Sequence, residues 1–159
     1  SLLAIAGRAL RQSALLVGLA VVSLVVIDFR KILPAVLSLF SVVLALIWML
    51  GIMRIFGLQY NPINIMAIPI MLGIGIDNGV HIIHRYIDSG GDIRTAVTTS
   101  GQAIMISSFT TIAGFACLLL STHRGLTSFA QLLVLGMTLS LFTSFVVLPA
   151  VLVLLRKSK

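Results

Sequence analysis

Five apolar segments, each long enough to cross a lipid bilayer, dominate this sequence of 159 residues. They predict membrane spans at residues 13–29, 32–53, 62–83, 103–120 and 129–155. A helix needs about 17–25 apolar residues to cross the hydrocarbon core, where every backbone polar group must be bonded within the protein. Only 9% of the residues are charged, against about 25% in an average soluble domain. The sequence therefore predicts an all-α integral membrane protein with five transmembrane helices.

The segments outside the spans are short. We expect residues 1–12 to be a leader or the end of a preceding extracytoplasmic segment, 13–155 to form one transmembrane domain, and 156–159 to be a basic cytoplasmic tail. The longest connector lies between the third and fourth spans. There Asp92 is expected to cap a short helix of mixed polarity at 93–100, which would lie along the membrane surface.

The net charge of +7 comes from basic residues at the ends of the apolar segments. Such positions are typical of lipid-headgroup anchors, and the sequence has no basic stripe that would indicate nucleic acid as a partner. One side of the membrane would carry Arg30, Lys31, Arg85, Arg94, Arg156, Lys157 and Lys159, and the other Arg8, Arg11, Arg54 and Arg124. The excess predicts an inner or plasma membrane protein with its C-terminus cytoplasmic and its N-terminus extracytoplasmic.

A single carboxylate, Asp77, stands inside the third span, in the run Gly73-Ile74-Gly75-Ile76-Asp77-Asn78-Gly79. A charge at the centre of a bilayer costs about 2.5–3.5 kcal/mol on insertion scales, so it indicates a functional site such as a proton relay. His81 and His84 follow on the same helical face, and the cytoplasmic end of the predicted span is about 9 Å from Asp77. These histidines either lead protons to Asp77 or are interfacial residues that complete the span.

Hydroxyl groups are concentrated in the fourth span at Ser107, Ser108, Thr110 and Thr111. Thr110 or Thr111 could donate a hydrogen bond to Asp77 and control its protonation. The alternative is that these hydroxyls bond the carbonyl groups of their own helix. The predicted relay therefore consists of Asp77, Asn78, His81, Thr110 and Thr111.

The other residues of this region favour helix packing and exclude several chemistries. Gly73, Gly75 and Gly79 are predicted to let a neighbouring helix approach closely. Asp77 and His81 could share a metal ion, but no further ligand is expected at that depth, so we predict no metal site. No catalytic constellation indicates an enzyme, and no cofactor is expected besides a proton gradient.

Several runs together resemble the resistance–nodulation–division (RND) transporter superfamily, in particular its lipid-exporter-like (MMPL-type) branch. They are Asn64-Ile65-Met66-Ala67-Ile68-Pro69, the glycine-rich run that contains Asp77-Asn78, His84-Arg85-Tyr86, Ser107-Ser108-Phe109-Thr110-Thr111, and Leu148-Pro149-Ala150. The resemblance implies the five helices of a C-terminal membrane half, in which Asp77 matches the intramembrane acid that relays protons to drive export. Many members carry Tyr after this acid, where this chain has Asn78.

The resemblance also implies which partners the chain has. Expected partners are the bilayer, a hydrophobic or lipid-like substrate, the other membrane half and extracytoplasmic domains of a larger transporter, and possible homo-oligomer copies. The same five-helix block resembles the sterol-sensing domain of eukaryotic relatives. That likeness gives an alternative function, a lipid-binding or regulatory membrane module without transport.

Overall fold

The computed structural model describes residues 2–57, 61 and 63–157, and the side chains of residues 12, 15–57, 61 and 63–156. Its helices are α1 (Leu2–Phe29), α2 (Ile32–Ile55), α3 (Ala67–Asp88), α4 (Ile93–Ala116), α5 (Arg124–Phe142) and α6 (Leu148–Lys157). A 3₁₀ turn, Asn64–Met66, precedes α3, and another, Cys117–Leu120, continues α4. A π-helical segment, Thr143–Val147, joins α5 to α6, so the chain is helical without interruption from Arg124 to Lys157.

Four segments within the described residues are long and apolar enough to cross a membrane: Ile32–Ile55, Asn64–Asp88, Ile93–Leu120 and Arg124–Arg156. Their mean hydropathies are 2.6, 1.5, 2.0 and 2.4 in that order. In α1 the apolar stretch is the shorter Leu15–Phe29. The predicted class, an all-helical multi-pass membrane protein, is confirmed, while the count of five spans stays a prediction.

The prediction of a separate short surface helix at residues 93–100 is wrong, because α4 runs without a break from Ile93 to Ala116, well into the fourth span. Gly101, which separates the polar part from the apolar part, is not a break. A Cβ there would lie 3.1 Å from Cε1 of Phe145, so this glycine allows a close contact with the last span. The predicted cap is confirmed. The Asp92 carboxylate accepts hydrogen bonds from the Thr95 hydroxyl and the Arg94 backbone N–H, which hold the pKa of Asp92 below its usual range.

Helix α3 occupies the centre of the bundle and contacts α1, α2, α4 and α5. One apolar cluster at its C-terminal half includes Val42, Ile76 and Leu148, and a second at its N-terminal half includes Met49 and Met71. Asp77 is therefore carried by a central helix that four other helices hold in place.

Buried hydroxyl groups tie the last span to α2 and α3. The Ser41 Oγ lies 2.9 Å from Ser144 Oγ, and Thr143 Oγ1 donates to the Ser41 carbonyl oxygen at 3.0 Å. One turn earlier, Ser140 Oγ donates to the carbonyl oxygen of Gly75 at 2.9 Å. Membrane helices gain little from apolar burial against one another, so such hydrogen bonds and close packing hold them together.

The two predicted terminal segments remain open predictions. Helix α1 already begins at Leu2, so most of the predicted leader at residues 1–12 is helical. At the other end, α6 continues to Lys157, and the rest of the predicted tail lies outside the described residues.

Candidate functional site

Asp77 lies near the middle of α3, about 16 Å before its last residue at 1.5 Å per residue. The helix extends beyond the predicted end of the span at Ile83, as far as Asp88. In this chain the Asp77 side chain is exposed, because the face of α3 that carries it is only partly covered by α1 and α4.

A polar cavity of about 330 Å³ opens between α3 and α4 beside Asp77. It is lined by Asp77, Asn78, His81, Arg85, Thr99, Ser100, Ala103, Ile104 and Ser107. The structure thus brings together three residues of the predicted relay and adds Arg85 and three hydroxyl groups that the predicted relay did not include. Arg85 follows His81 by one further turn, and extending the same helical spacing would have found it. The cavity forms a polar track from the middle of α3 towards its C-terminal end.

Asn78 presents an unpartnered donor in this region. The residue is 8% exposed, and its Oδ1 accepts a hydrogen bond from Ser108 Oγ at 3.2 Å. Its Nδ2 is buried and has no hydrogen-bond partner within the described residues. A buried donor without a partner costs about 1–3 kcal/mol. The amide of Asn78 is therefore suited to bind an oxygen atom of a molecule in the cavity, such as a water.

Thr110 and Thr111 do not line this cavity. The Thr110 hydroxyl donates to the Ile106 carbonyl at 2.7 Å, and the Thr111 hydroxyl donates to the Ser107 carbonyl at 2.9 Å. This arrangement corresponds to the alternative in which helical hydroxyls bond their own backbone. The part of these threonines in a relay stays a prediction.

Asp77 also borders a second space, an apolar groove of about 470 Å³ between α1 and α3. The groove is lined by Val21, Leu24, Val25, Asp28, Gly73, Ile76, Asp77 and Val80. A Cβ at Gly73 would meet no described atom within 4 Å, so this glycine faces the groove and keeps it open. The carboxylate consequently separates a polar cavity from an apolar groove.

His84 turns away from the polar cavity towards α1. Its Nε2 lies 2.5 Å from Oδ2 of Asp28, and its ring stacks on Phe29 with centroids 4.4 Å apart. The two predicted histidines thus have different surroundings, since His81 lines the cavity and His84 joins α3 to the end of α1. Sequence reasoning missed Asp28 as a partner, because the pairing depends on how α1 and α3 pack.

Gly75 and Gly79 lie where α2 and α5 approach α3 closely. A Cβ at Gly79 would lie 3.2 Å from the carbonyl oxygen of Ser38 on α2. A Cβ at Gly75 would lie 3.0 Å from Ser140 Oγ and 3.1 Å from Cγ2 of Val42. These glycines are on the side of α3 that packs against α2 and α5. Asp77 is on another side of α3 and faces the polar cavity and the apolar groove.

A family model described as Patched SSD matches residues 12–154, which is most of the chain. The chain belongs to this family. The match includes α3 with Asp77, both spaces beside it and the last span as far as Leu154. It supports the likeness to sterol-sensing domains, and together with the named relatives below it bears out the resemblance to the RND superfamily and its MMPL-type branch.

Curated relatives include proteins named as transporters. A membrane protein of Methanocaldococcus jannaschii is 30% identical over 148 residues, 87% of this chain and 37% of the relative. The hopanoid transporter HpnN of Rhodopseudomonas palustris is 26% identical over 92% of this chain and 18% of its own length. The trehalose monomycolate exporter MmpL3 of Mycolicibacterium smegmatis is 30% identical over 80% of this chain and 14% of its own length. The chain thus spans from about one seventh to just over one third of the length of these relatives.

Proposed function

We propose that this chain is the membrane half of a transporter in which proton binding at Asp77 drives export of a hydrophobic or lipid-like substrate. The observation that carries the proposal is the position of Asp77, halfway along a spanning helix and on the wall of a polar cavity. An intramembrane carboxylate is costly, and it is typical of proton and ion pathways.

The cavity residues suit a proton pathway. His81 is one turn from Asp77, about 6 Å along the helix axis, and an imidazole can both accept and donate a proton near neutral pH. Asn78 and the hydroxyl of Ser107 can hold water between the carboxylate and the end of the cavity. Protonation removes the charge of Asp77, so the side chain no longer needs to be hydrated. The neutral form therefore favours a conformation in which the cavity is closed.

Direction and substrate are further parts of the proposal. With the C-terminus cytoplasmic, the polar cavity would lead from Asp77 towards the cytoplasm, because α3 ends on the same side as the last span. The named substrates of the relatives, hopanoids and trehalose monomycolate, support a lipid-like substrate here. The other membrane half, as a second copy or as part of a longer protein, and extracytoplasmic domains would complete the transporter, which acts as a carrier rather than as an enzyme.

The proposal is tested by Asp77→Asn in the complete transporter, reconstituted into proteoliposomes with a defined pH gradient. The amide keeps the size and polarity of the side chain but cannot exchange a proton. We expect gradient-driven export to fall to the level of empty liposomes while the amount of folded protein stays unchanged. Asp88→Asn is the matched control, because Asp88 is an exposed carboxylate at the end of the same helix. Wild-type export by the Asp77 variant would refute the relay.

A lipid-binding module without transport is the second candidate, and the family match together with the apolar groove beside Gly73 favours it. This function predicts that Asp77→Asn leaves flux unchanged and alters binding of a sterol-like or hopanoid-like ligand. Measuring export and ligand binding on the same preparation separates the two functions.

A further inference from the structure

A third pocket lies on the opposite side of α3 from Asp77, where the ends of α2, α3 and α6 meet. Its volume is about 290 Å³. Leu37, Ile83, Leu152 and Leu155 are among the apolar side chains that form its walls, and Tyr86 and Arg156 stand among its lining residues. None of the residues of the proposed proton pathway lines it, so it is a separate site.

The two polar side chains of this pocket can both donate hydrogen bonds. Among the side chains that the structure describes, Arg156 makes a single hydrogen bond, from Nη1 to the Gly91 carbonyl oxygen at the long distance of 3.4 Å. A guanidinium group has five N–H donors, so most of its capacity is unused. The Tyr86 hydroxyl has no hydrogen-bond partner in the described part of the chain, and no carboxylate lines the pocket. Arg156 and Tyr86 can therefore donate to a ligand with an anionic head group, and the apolar walls of the pocket fit its hydrocarbon tail.

The pocket lies at the level of the membrane where lipid headgroups are found. Leu33 and Pro34 in the first turn of α2 line it, and Arg156 stands at the end of the last span. Residues at such helix ends lie at the level of lipid headgroups, where Arg commonly binds phosphate. Two further cations, Arg30 and Lys31, precede α2 directly and are exposed.

We propose that this pocket binds an anionic phospholipid of the adjacent leaflet, with its phosphate on Arg156 and Tyr86 and one acyl chain between α2, α3 and α6. One opposing charge is present, since the carboxylate of Asp92 lies close enough to Arg156 to attract it. Asp92 is already engaged by the cap of α4, through the Arg94 backbone and the Thr95 hydroxyl. It therefore leaves donors of Arg156 free for a phosphate. Under the proposed orientation this is the cytoplasmic leaflet.

The test is native mass spectrometry of the purified protein from micelles that contain equal amounts of phosphatidylglycerol and phosphatidylcholine with identical acyl chains. We expect the wild-type protein to retain phosphatidylglycerol in preference. Arg156→Gln should reduce that preference by about tenfold, as expected for the loss of a charge-assisted contact. Arg124→Gln removes the same charge at the opposite end of the last span and should leave the preference unchanged.

The acyl-chain part of the proposal has its own pair of variants. Leu155→Trp places a bulky ring in the pocket and should reduce retention of phosphatidylglycerol. Leu154→Trp makes the same change at a neighbouring position that is 67% exposed and does not line the pocket. Thermal stability without added lipid checks that all four variants fold.

Three outcomes would overturn the proposal. The first is a wild-type protein without a preference for phosphatidylglycerol, and the second is an equal effect of each variant and its control. The third is a dimer that Leu155→Trp dissociates and Leu154→Trp does not, because this result would show that a helix of a second copy covers the pocket.

Discussion

The three glycines of α3 allow a sharp test of how closely the helices pack, because a methyl group added at each meets different surroundings. At Gly79 the new Cβ would lie 3.2 Å from the Ser38 carbonyl oxygen and 3.5 Å from the Ser38 Cα, both backbone atoms of α2. Backbone atoms cannot move aside by a rotamer change. At Gly73 the same methyl would meet no described atom within 4 Å.

The magnitude follows from comparing the two alanine variants. Replacing glycine by alanine inside a helix contributes about 0.8–1.0 kcal/mol of stability through backbone propensity. That contribution is common to both sites. Forcing an extra carbon into a tightly packed contact costs about 1–3 kcal/mol. We therefore expect Gly79→Ala to be less stable than Gly73→Ala by about 1–3 kcal/mol, the packing cost alone. A difference of about 2 kcal/mol would change the ratio of folded to unfolded protein roughly thirtyfold.

Gly75→Ala should be intermediate. Its Cβ would meet two side chains, Ser140 Oγ and Val42 Cγ2, rather than backbone. The Ser140 hydroxyl can rotate away, but it then loses its hydrogen bond to the Gly75 carbonyl.

Reversible unfolding in mixed micelles, followed by circular dichroism, measures all three variants under the same conditions. The reasoning is refuted if Gly79→Ala is as stable as Gly73→Ala. That result would mean that α2 and α3 do not approach as closely as the structure shows.

Two further predictions concern the backbone conformation of Arg30 and the hydrogen bond between Ser108 and Asn78. Arg30 has a left-handed backbone conformation, with φ of 50° in the turn between α1 and α2, so Arg30→Gly should raise stability by about 0.5–1 kcal/mol. Lys31→Gly is its control because the extended backbone of Lys31, with φ of −135°, holds no such strain; equal effects on the midpoint of thermal unfolding would contradict the explanation. Ser108→Ala removes the hydrogen bond that orients Asn78 and should slow gradient-driven export more than a loss of stability explains. Thr98→Ala, which removes an exposed hydroxyl of the same helix that bonds the Arg94 carbonyl and does not line the cavity, should slow it less, and the opposite order would show that the Asn78 amide has no part in transport.

The sequence predicted the helical membrane class well because apolar length is a local property. The error lay before the fourth span, where a separate surface helix was predicted at residues 93–100 and α4 instead runs from Ile93 to Ala116. Gly101 instead allows a close contact with Phe145, a residue far away in the chain. A glycine that ends a helix and a glycine that admits a neighbour look the same in a sequence, and only the packing distinguishes them.

Asp77 could be identified from sequence for a similar reason, since a lone carboxylate in an apolar run is visible without any neighbours. The partners could not be identified in the same way. Which of the clustered hydroxyls faces α3 depends on the rotation of α4, and the structure selects Ser107 and Ser108. The pairing of His84 with Asp28 depends likewise on the packing of α1.

The polar face of α3 has a consequence for how the protein is made. The segment Asn64–Asp88 has the lowest mean hydropathy of the four spans, 1.5, and each charged residue at a helix centre disfavours insertion by about 2.5–3.5 kcal/mol. When α3 enters the translocon, the hydroxyls of Thr99, Ser100 and Ser107, which follow it in the chain, have not yet packed against it. We therefore expect α3 to remain at the translocon until α4 follows, so that the two helices enter the lipid as a pair.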